Sequence, residues 1–563
     1  MNLLIIEAPG KLKKLQPILK KLRPGEDWQV IASGGHIRDL PAKGQDADMI
    51  TTGVRKNFAP VYEVLEKSTR AVQAMKAAAQ KASDIYLATD PDREGESISW
   101  HIQQVLGLKD YKRITFNEIT LKRVEEALAN PRQIDLSRVA SQECRRVLDR
   151  LVGYLVTQEL RRLMGKPTSA GRVQSPAVYL VVLREREIRN FQVINHFGVR
   201  LNFTCIHNGH VWHAEWQPVQ DFANKDFSYI QDSNIAQLVA NTRNVVVEAC
   251  DDRKVERHPP PPFISSTLQQ AASNALKWDP DKTMQVAQHL YEQGVISYHR
   301  TDNPNIPDEA MTDIRSVAIA YGLKTVDERR TFKAAEGAQE GHPAITPTYW
   351  ANASVGENAE EQALYQLIWA RALASQLEAA RYDVRTAKLL ALGPAGKTLR
   401  FTATGKTLDY PGWLKLLQGD DTDDEQDAES NNPVPVLSSK QVIAVHSGEL
   451  MKKKTQPPSR YTKASLIKEM ERRGIGRPST FASILKNITG KGLIEEKSRK
   501  LIPAPLGEET IARLEGVFSF VELDFTRKLE RDLDNIAQRQ DTYGAVVARM
   551  HKHLEGELSQ LPR

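Results

Sequence analysis

Residues Asp84–Glu96 read DIYLATDPDREGE. Asp84–Thr89 is a short apolar run with aromatic and β-branched members, too short for a helix and suited to a buried strand. It follows an Ala-rich helical segment at Ala71–Ala82 and ends at Asp90. Asp92, Glu94 and Glu96 then alternate, Gly95 permits a tight turn, and Glu96–Leu106 has a helical pattern. The same unit stands at the N-terminus. Asn2–Ile6 (NLLII) is a strand closed by Glu7, Ala8-Pro9-Gly10 is a turn, and Lys11–Leu22 is a basic amphipathic helix. Strands alternating with helices predict a parallel sheet with covering helices, whose ligands sit beyond the carboxyl ends of the strands. Glu7 and Asp90 both lie at such ends, so the expectation is that they face one cleft.

The rest of the chain is read outward from that sheet. At 563 residues it is long enough for several domains. Thr120–Asn190 is mostly helical by pattern, Phe191–Arg257 turns to alternating β, and Pro259–Pro262 is a connector. Helices return at Ser266–Leu276 and Thr283–Gln293, followed by a short strand Val295–Tyr298. Tyr382–Val445 is β-like again, interrupted by the acidic, apolar-free Asp420–Asn432, which is expected to be disordered. From Thr462 the chain is helical. The two β-like stretches flanking a helical block suggest one β domain interrupted by a helical insertion.

Composition narrows the function classes. Lys+Arg 77 against Asp+Glu 71 gives a net charge of +6, which permits nucleic-acid binding without establishing it. Cys144, Cys205 and Cys250 are far apart with no C-x-x-C pair, which excludes a disulfide scaffold and a zinc ribbon and suits a reducing cytoplasm. No apolar run approaches the roughly 20 residues of a membrane span, and Met1–Glu7 lacks the pattern of a signal peptide.

Two segments concentrate chemistry. Asp90, Asp92 and Glu94 form a set that suits a hard cation, with Glu7 at the neighbouring strand end and Lys11 beside it to hold a phosphate or stabilise a leaving oxygen. The plainer reading is an acidic turn favouring the helix dipole. The second is Gly294–Asp302, GVISYHRTD. Here a strand would deliver Tyr298, with Arg300 two residues on and on the same face. A phenol can attack phosphorus when a cation stabilises its phenolate, and the plainer reading is a tyrosine closing a core strand. No Walker phosphate loop or dinucleotide-binding turn is present. Basic residues beside turns recur at Gly10-Lys11, Gly35-His36, Arg145-Arg146, Gly171-Arg172 and Gly476-Arg477, which fits a groove along a nucleic-acid backbone.

These residues form an ordered series. Glu7–Lys11 (EAPGK), Gly35–Pro41 (GHIRDLP) and Asp90-x-Asp92-x-Glu94 are followed by Arg145–Tyr154, Ser169–Ser175 (SAGRVQS) and Ser297–Asp302. Glu340–Ile345, Arg460–Thr462, Gly474–Thr480 and Asp524–Thr526 complete it. The series resembles the type IA DNA topoisomerases over nearly the whole chain, its first three members resembling their Toprim domain. The resemblance implies a multidomain α/β and α+β torus. Its parts would be a Toprim domain at 1–120, a helical DNA-binding domain at 121–192 and 456–563, a β-rich arch at 193–257 and 383–455, and a helical domain at 258–382 carrying the nucleophile.

It also implies ATP-independent cleavage of single-stranded DNA by Tyr298 through a 5′-phosphotyrosine, followed by strand passage and religation. Arg300 would place the scissile phosphate, Glu7 would act as general acid/base and Lys11 would stabilise charge. Glu7, Asp90, Asp92 and Glu94 would hold Mg2+, with no ATP and no zinc. His36, Arg145, Arg146, Asp149, Tyr154, Arg161, Ser169, Ala170, Gly171, Arg172, Val173, Gln174, His342 and Arg477 match positions lining the single-strand path. The implied partners are single-stranded and negatively supercoiled DNA, the protein being a cytoplasmic, nucleoid-associated monomer. Gly10, His299 and Gly341-His342-Pro343 depart from the common wording without removing a reacting group. The motifs are nearer bacterial topoisomerase I, while the ribbon-free ending is more usual in topoisomerase III relatives, so relaxation and decatenation both stay open as roles. A Toprim-type nuclease or primase shares the acidic cluster but needs no tyrosine nucleophile. A silent single-strand-binding protein needs neither.

Overall fold

A computed structural model describes residues 1–44, 46–205, 209–217, 229–334, 342–393, 396–417 and 432–561. Near the N-terminus, four parallel strands run in the spatial order Trp28–Ala32, Asn2–Ile6, Asp84–Ala88 and Lys112–Arg113. Successive side chains of a strand point to opposite faces, and Asn2–Ile6 uses both. Leu4 and Ile6 join one buried cluster, Leu3 and Ile5 another. The first cluster continues without a break into Phe263, Leu268, Leu290, Tyr291, Ile296 and Tyr298. That shared core presses the tyrosine-bearing segment against the sheet.

The helix after Asp84–Ala88 spans Arg93–Leu106, three residues earlier than expected, because Asp92 caps it by accepting the Gly95 N–H at 2.8 Å. Gly95 is required there. A Cβ would lie 2.1 Å from the Asp90 carbonyl oxygen. The expected strand Val295–Tyr298 does not form. Ile296 makes an isolated bridge to Pro347, and Tyr298 sits on irregular backbone whose N–H donates to the Asn117 carbonyl at 2.7 Å.

A seven-stranded antiparallel sheet draws strands from both β-like stretches, in the order Val442–Ala444, Asn244–Arg257, Ala380–Leu392, Thr398–Tyr410, Val211–Trp216, Asn195–Thr204 and Ser447–Lys454. The chain enters the helical block from Asn244–Arg257 and returns in Ala380–Leu392, and these two strands pair along nearly their whole length. A helix at Ser233–Ala240 was not anticipated. Asp420–Asn431, Glu340 and Gly341 lie outside the described residues. Asn432, expected to be disordered with its acidic neighbours, is instead buried, its Oδ1 accepting the His213 N–H at 2.9 Å and its Nδ2 donating to the His213 carbonyl at 2.8 Å.

Another buried cluster unites the helices Leu136–Leu151 and Gln174–Asn190 with Lys463–Arg472, Phe481–Gly490, Leu523–Ala537 and Tyr543–Leu558. A short hairpin, Ile494–Lys497 with Lys500–Pro503, interrupts this otherwise helical part. Among the described residues no helix is long and apolar enough to cross a membrane.

Candidate active site

Six of the residues singled out in the sequence meet in one seam between the parallel sheet and the tyrosine-bearing segment. Tyr298 is fully buried, and its hydroxyl donates to Asp92 Oδ2 at 2.8 Å. Arg300 Nη1 stands 3.6 Å from the same oxygen. The buried Lys11 ammonium pairs with Asp90, and the Glu7 carboxylate accepts the Asp90 backbone N–H at 3.3 Å. Glu7 and Asp90 therefore share a cleft, as their positions at strand ends require. Asp92 does two jobs at once. One oxygen caps the helix while the other accepts from the phenol, so the helix-end reading of the acidic turn holds and the same carboxylate meets the tyrosine.

The charges in this seam do not balance. Burial, reinforced by Asp90 and Asp92, pushes Glu7 up to about 8 against the opposing pull of Lys11 and Arg300. Burial also holds the Tyr298 phenol well above its ordinary value, with Asp92 adding to the shift. His299 is kept neutral by burial beside Arg300 and Lys11, and its Nδ1 has no hydrogen-bond partner. The His342 ring lies 5.8 Å from that of Tyr298, and its Nδ1 meets Asn117 Oδ1 at 3.0 Å.

Glu94 departs from the expected set. It turns away to His36 Nε2 and Gln142 Nε2, each at 3.1 Å. Burial alone would raise it, but His36 and Arg145 bring it down to about 2. Among the described residues no three His, Cys, Asp or Glu side chains converge in an arrangement ready to hold a metal ion. The physical reason is that Asp90 is paired with Lys11, Asp92 with the phenol and the helix end, and Glu94 with His36. The donor chemistry nonetheless fits a hard cation. Glu7, Asp90 and Asp92 offer only carboxylate oxygens, the ligands a hard cation takes.

Some of the proposed strand-path residues line a cavity, and others are enclosed by their partners. Arg145, Arg300, His342 and Arg477 line a small cavity with Asp92, Arg93, Glu94 and Asp302. Tyr154 lies in a π-helical turn, Val152–Val156, with the Arg150 guanidinium 4.4 Å from its ring centre. Such turns recur at functional sites. Arg161 is exposed and donates to the Thr168 carbonyl at 2.9 Å. The turn Ser169–Val173 leads into the helix starting at Gln174. Ala170 N–H donates to Thr157 Oγ1 at 3.0 Å, Gly171 N–H donates to Ser175 Oγ at 3.1 Å, and Ser169 Oγ is buried without a partner.

Arg146 and Arg172 differ from the expectation of an open lining. Arg146 makes a two-pronged contact with Asp39 at 2.7 and 2.5 Å. Arg172 is wholly buried between Asp149 Oδ1 at 2.9 Å and Glu530 Oε1 at 2.5 Å. Arg477 reaches Asp534 at 2.7 Å, and Arg93 pairs with the other oxygen of Asp534. Glu530, Asp534, Arg93 and Tyr291 were missed in the sequence. For Arg93 the signal was present, since it stands inside the DPDRE run.

Comparison with known proteins agrees with this geometry. Residues 2–119 match the Toprim domain family and 133–548 the DNA topoisomerase family. The chain is 50% identical to the plasmid DNA topoisomerase I of Xylella fastidiosa, over all of this chain and 84% of that protein. It is 36% identical to DNA topoisomerase 1 of Escherichia coli, over 97% of this chain and 65% of that one. The full-length topoisomerase I of Thermotoga maritima superposes with a TM-score of 0.83 at 32% identity, covering 100% of this chain and 91% of the other. With a tyrosine, an arginine and strand-end carboxylates assembled in one seam on that shared fold, the chain belongs to the type IA DNA topoisomerases and is an isomerase.

Proposed function

We propose that the seam cuts one DNA strand by attack of Tyr298 Oη on a backbone phosphorus. The Oη–P bond forms as the bond from phosphorus to the 3′-oxygen breaks, leaving a 5′-phosphotyrosine and a free 3′-hydroxyl. After strand passage the hydroxyl attacks in reverse. One ester replaces another, so no nucleotide hydrolysis is required. The observation that carries this reading is the Tyr298 hydroxyl on Asp92 Oδ2 with Arg300 against the same oxygen. The phenol is aimed, its proton faces an acceptor, and a guanidinium stands where phosphate oxygens would come. Glu7, protonated near neutrality, is suited to give a proton to the departing 3′-oxygen and to take it back on rejoining. Lys11 would offset charge on the reacting phosphate.

Asp90 and Asp92, with Glu7 behind them, are the residues that would hold magnesium, Glu94 being engaged with His36. When bound, the ion would supply positive charge between these carboxylates and the DNA backbone. Arg145, Tyr154, Arg161, the Ser169–Gln174 turn, His342 and Arg477 would guide the single strand. On this reading the protein works in the bacterial cytoplasm as a monomer on single-stranded and negatively supercoiled DNA, which its likeness to bacterial topoisomerases I supports.

The test is relaxation of a negatively supercoiled circle without ATP. Relaxation is expected with magnesium and not with excess chelator, while cleavage of a single-stranded oligonucleotide persists in both. Relaxation in chelator would overturn the metal assignment. Nicked circles without any protein–DNA adduct would mark a hydrolytic nuclease instead.

A further inference from the structure

We propose that Tyr291 is a positioning residue for the strand-cutting step, its ring seating the Lys11 ammonium and bracing the Tyr298 phenol. The inference rests on the reading of Lys11 as the cation that offsets phosphate charge.

Lys11 is fully buried, and a charge withdrawn from water needs partners. It has two of different kinds. Asp90 pairs with it directly, and the face of the Tyr291 ring lies 4.9 Å from its Nζ. A carboxylate places an ammonium but also cancels its field. An aromatic face attracts the ammonium through its quadrupole and carries no net charge. The ring therefore fixes Lys11 while leaving its charge available to a phosphate.

Tyr291 is itself held rigidly. It is fully buried, its hydroxyl donates to the Phe116 carbonyl at 3.2 Å, and the next carbonyl, Asn117, accepts the Tyr298 N–H at 2.7 Å. The rings of Tyr291 and Tyr298 meet nearly edge-to-face, centres 5.1 Å apart at 67°. Residues 116 and 117 thus anchor both tyrosines, and one tyrosine touches both the nucleophile and the cation. Lys11 belongs to the turn Pro9–Lys11 and Tyr291 to the helix Pro280–Glu292, which leads directly to Tyr298. The seat for the cation and the nucleophile therefore arrive on one segment.

The experiment measures single-turnover cleavage of a single-stranded oligonucleotide, with oligonucleotide binding and thermal unfolding alongside. Tyr291→Phe keeps the aromatic face but loses the hydroxyl's anchor on the Phe116 carbonyl, so it should cleave more slowly than the wild type but faster than the Leu variant, and it is the reference for the fluorine series. Tyr291→Leu should be slower by about tenfold at unchanged binding. Mono-, di- and trifluorinated phenylalanine at position 291 keep the shape but drain the ring face, so the rate should fall stepwise with each fluorine while unfolding and binding stay constant. With Lys11→Met the fluorine series should become flat. If Lys11→Met cleaves like the wild type, the reading of Lys11 fails. If Lys11→Met is impaired but the fluorine series is flat in the presence of Lys11, the positioning role of Tyr291 is overturned.

Discussion

Glu7 and Glu530 are both glutamates drawn between distant segments of the chain, one partly and one wholly buried, and their surroundings push them in opposite directions. Glu7 is raised to about 8 by burial and by Asp90 and Asp92, in a seam where Lys11 and Arg300 do not make up the deficit. Glu530 would also be raised by burial, yet Arg172, Arg145 and Arg477 together hold it well below the usual carboxylate range. The first cluster is left with unmet charge and contains the phenol. The second is paired and ties the helix Leu523–Ala537 to the Ser169–Gln174 turn and, through Asp534, to Arg93 beside Asp92. Unmet charge is what a transition state can use, whereas paired charge holds the walls around it.

The same substitution made in both clusters sharpens this contrast, because stability should move in opposite directions. Glu530→Gln leaves the buried Arg172 with only the more open Asp149 as counter-charge and should cost about 3 kcal/mol in urea unfolding. Its folded value is depressed, so its contribution is present above the ordinary glutamate value and fades as pH falls; the variant should lose that acid-side dependence. A loss below about 1 kcal/mol would break the comparison.

Glu7→Gln should do the reverse. Between 4.5 and about 8 the folded chain keeps a proton on Glu7 that the unfolded chain has lost. Wild-type stability should therefore fall as pH rises through that window in metal-free buffer. The variant should not show this fall, and near pH 8 it should be the more stable by about 1–2 kcal/mol, water at this partly open position moderating the effect. Its single-turnover cleavage should nonetheless be slower, since the amide cannot donate a proton as the acid does. Unchanged pH dependence in the variant would show that Glu7 is ordinary.

The smallest effect is expected in the antiparallel sheet, where Arg200 and Glu215 face each other across paired strands, their side chains 33% and 31% exposed. Glu215→Gln should change stability by about 0.5 kcal/mol and leave cleavage untouched. A larger change would mean that this sheet, too, carries strained charge.

The parts legible in the sequence were local. Short apolar strands ending in Glu7 and Asp90, and the turn through Gly95, follow from a few neighbouring residues, and the motif order supplied the reacting groups. What escaped depends on distant contacts. Tyr298 meets Asp92 across 206 residues and Arg93 meets Asp534 across 441, and no local pattern records such pairings. Arg172 reads as a base beside a turn until the helix bearing Glu530 covers it. Tyr298 resembles the end of a strand because Val295-Ile296 is β-branched, yet among the described residues the segment makes only the isolated bridge from Ile296 to Pro347. The hairpin at Ile494–Pro503 is hidden by its polar composition, EEKSRK at 495–500.

The most direct test of the account is to locate the covalent bond. A single-stranded oligonucleotide carrying label on either side of the break would be mixed with the protein, quenched in denaturant and digested for peptide mapping. The account predicts one adduct, on the Tyr298 peptide, joined to the 5′-phosphate of the downstream fragment, with the upstream fragment free at its 3′-hydroxyl and no adduct from Tyr298→Phe. An adduct on another residue, a 3′-phosphate linkage, or an adduct surviving in Tyr298→Phe would contradict it.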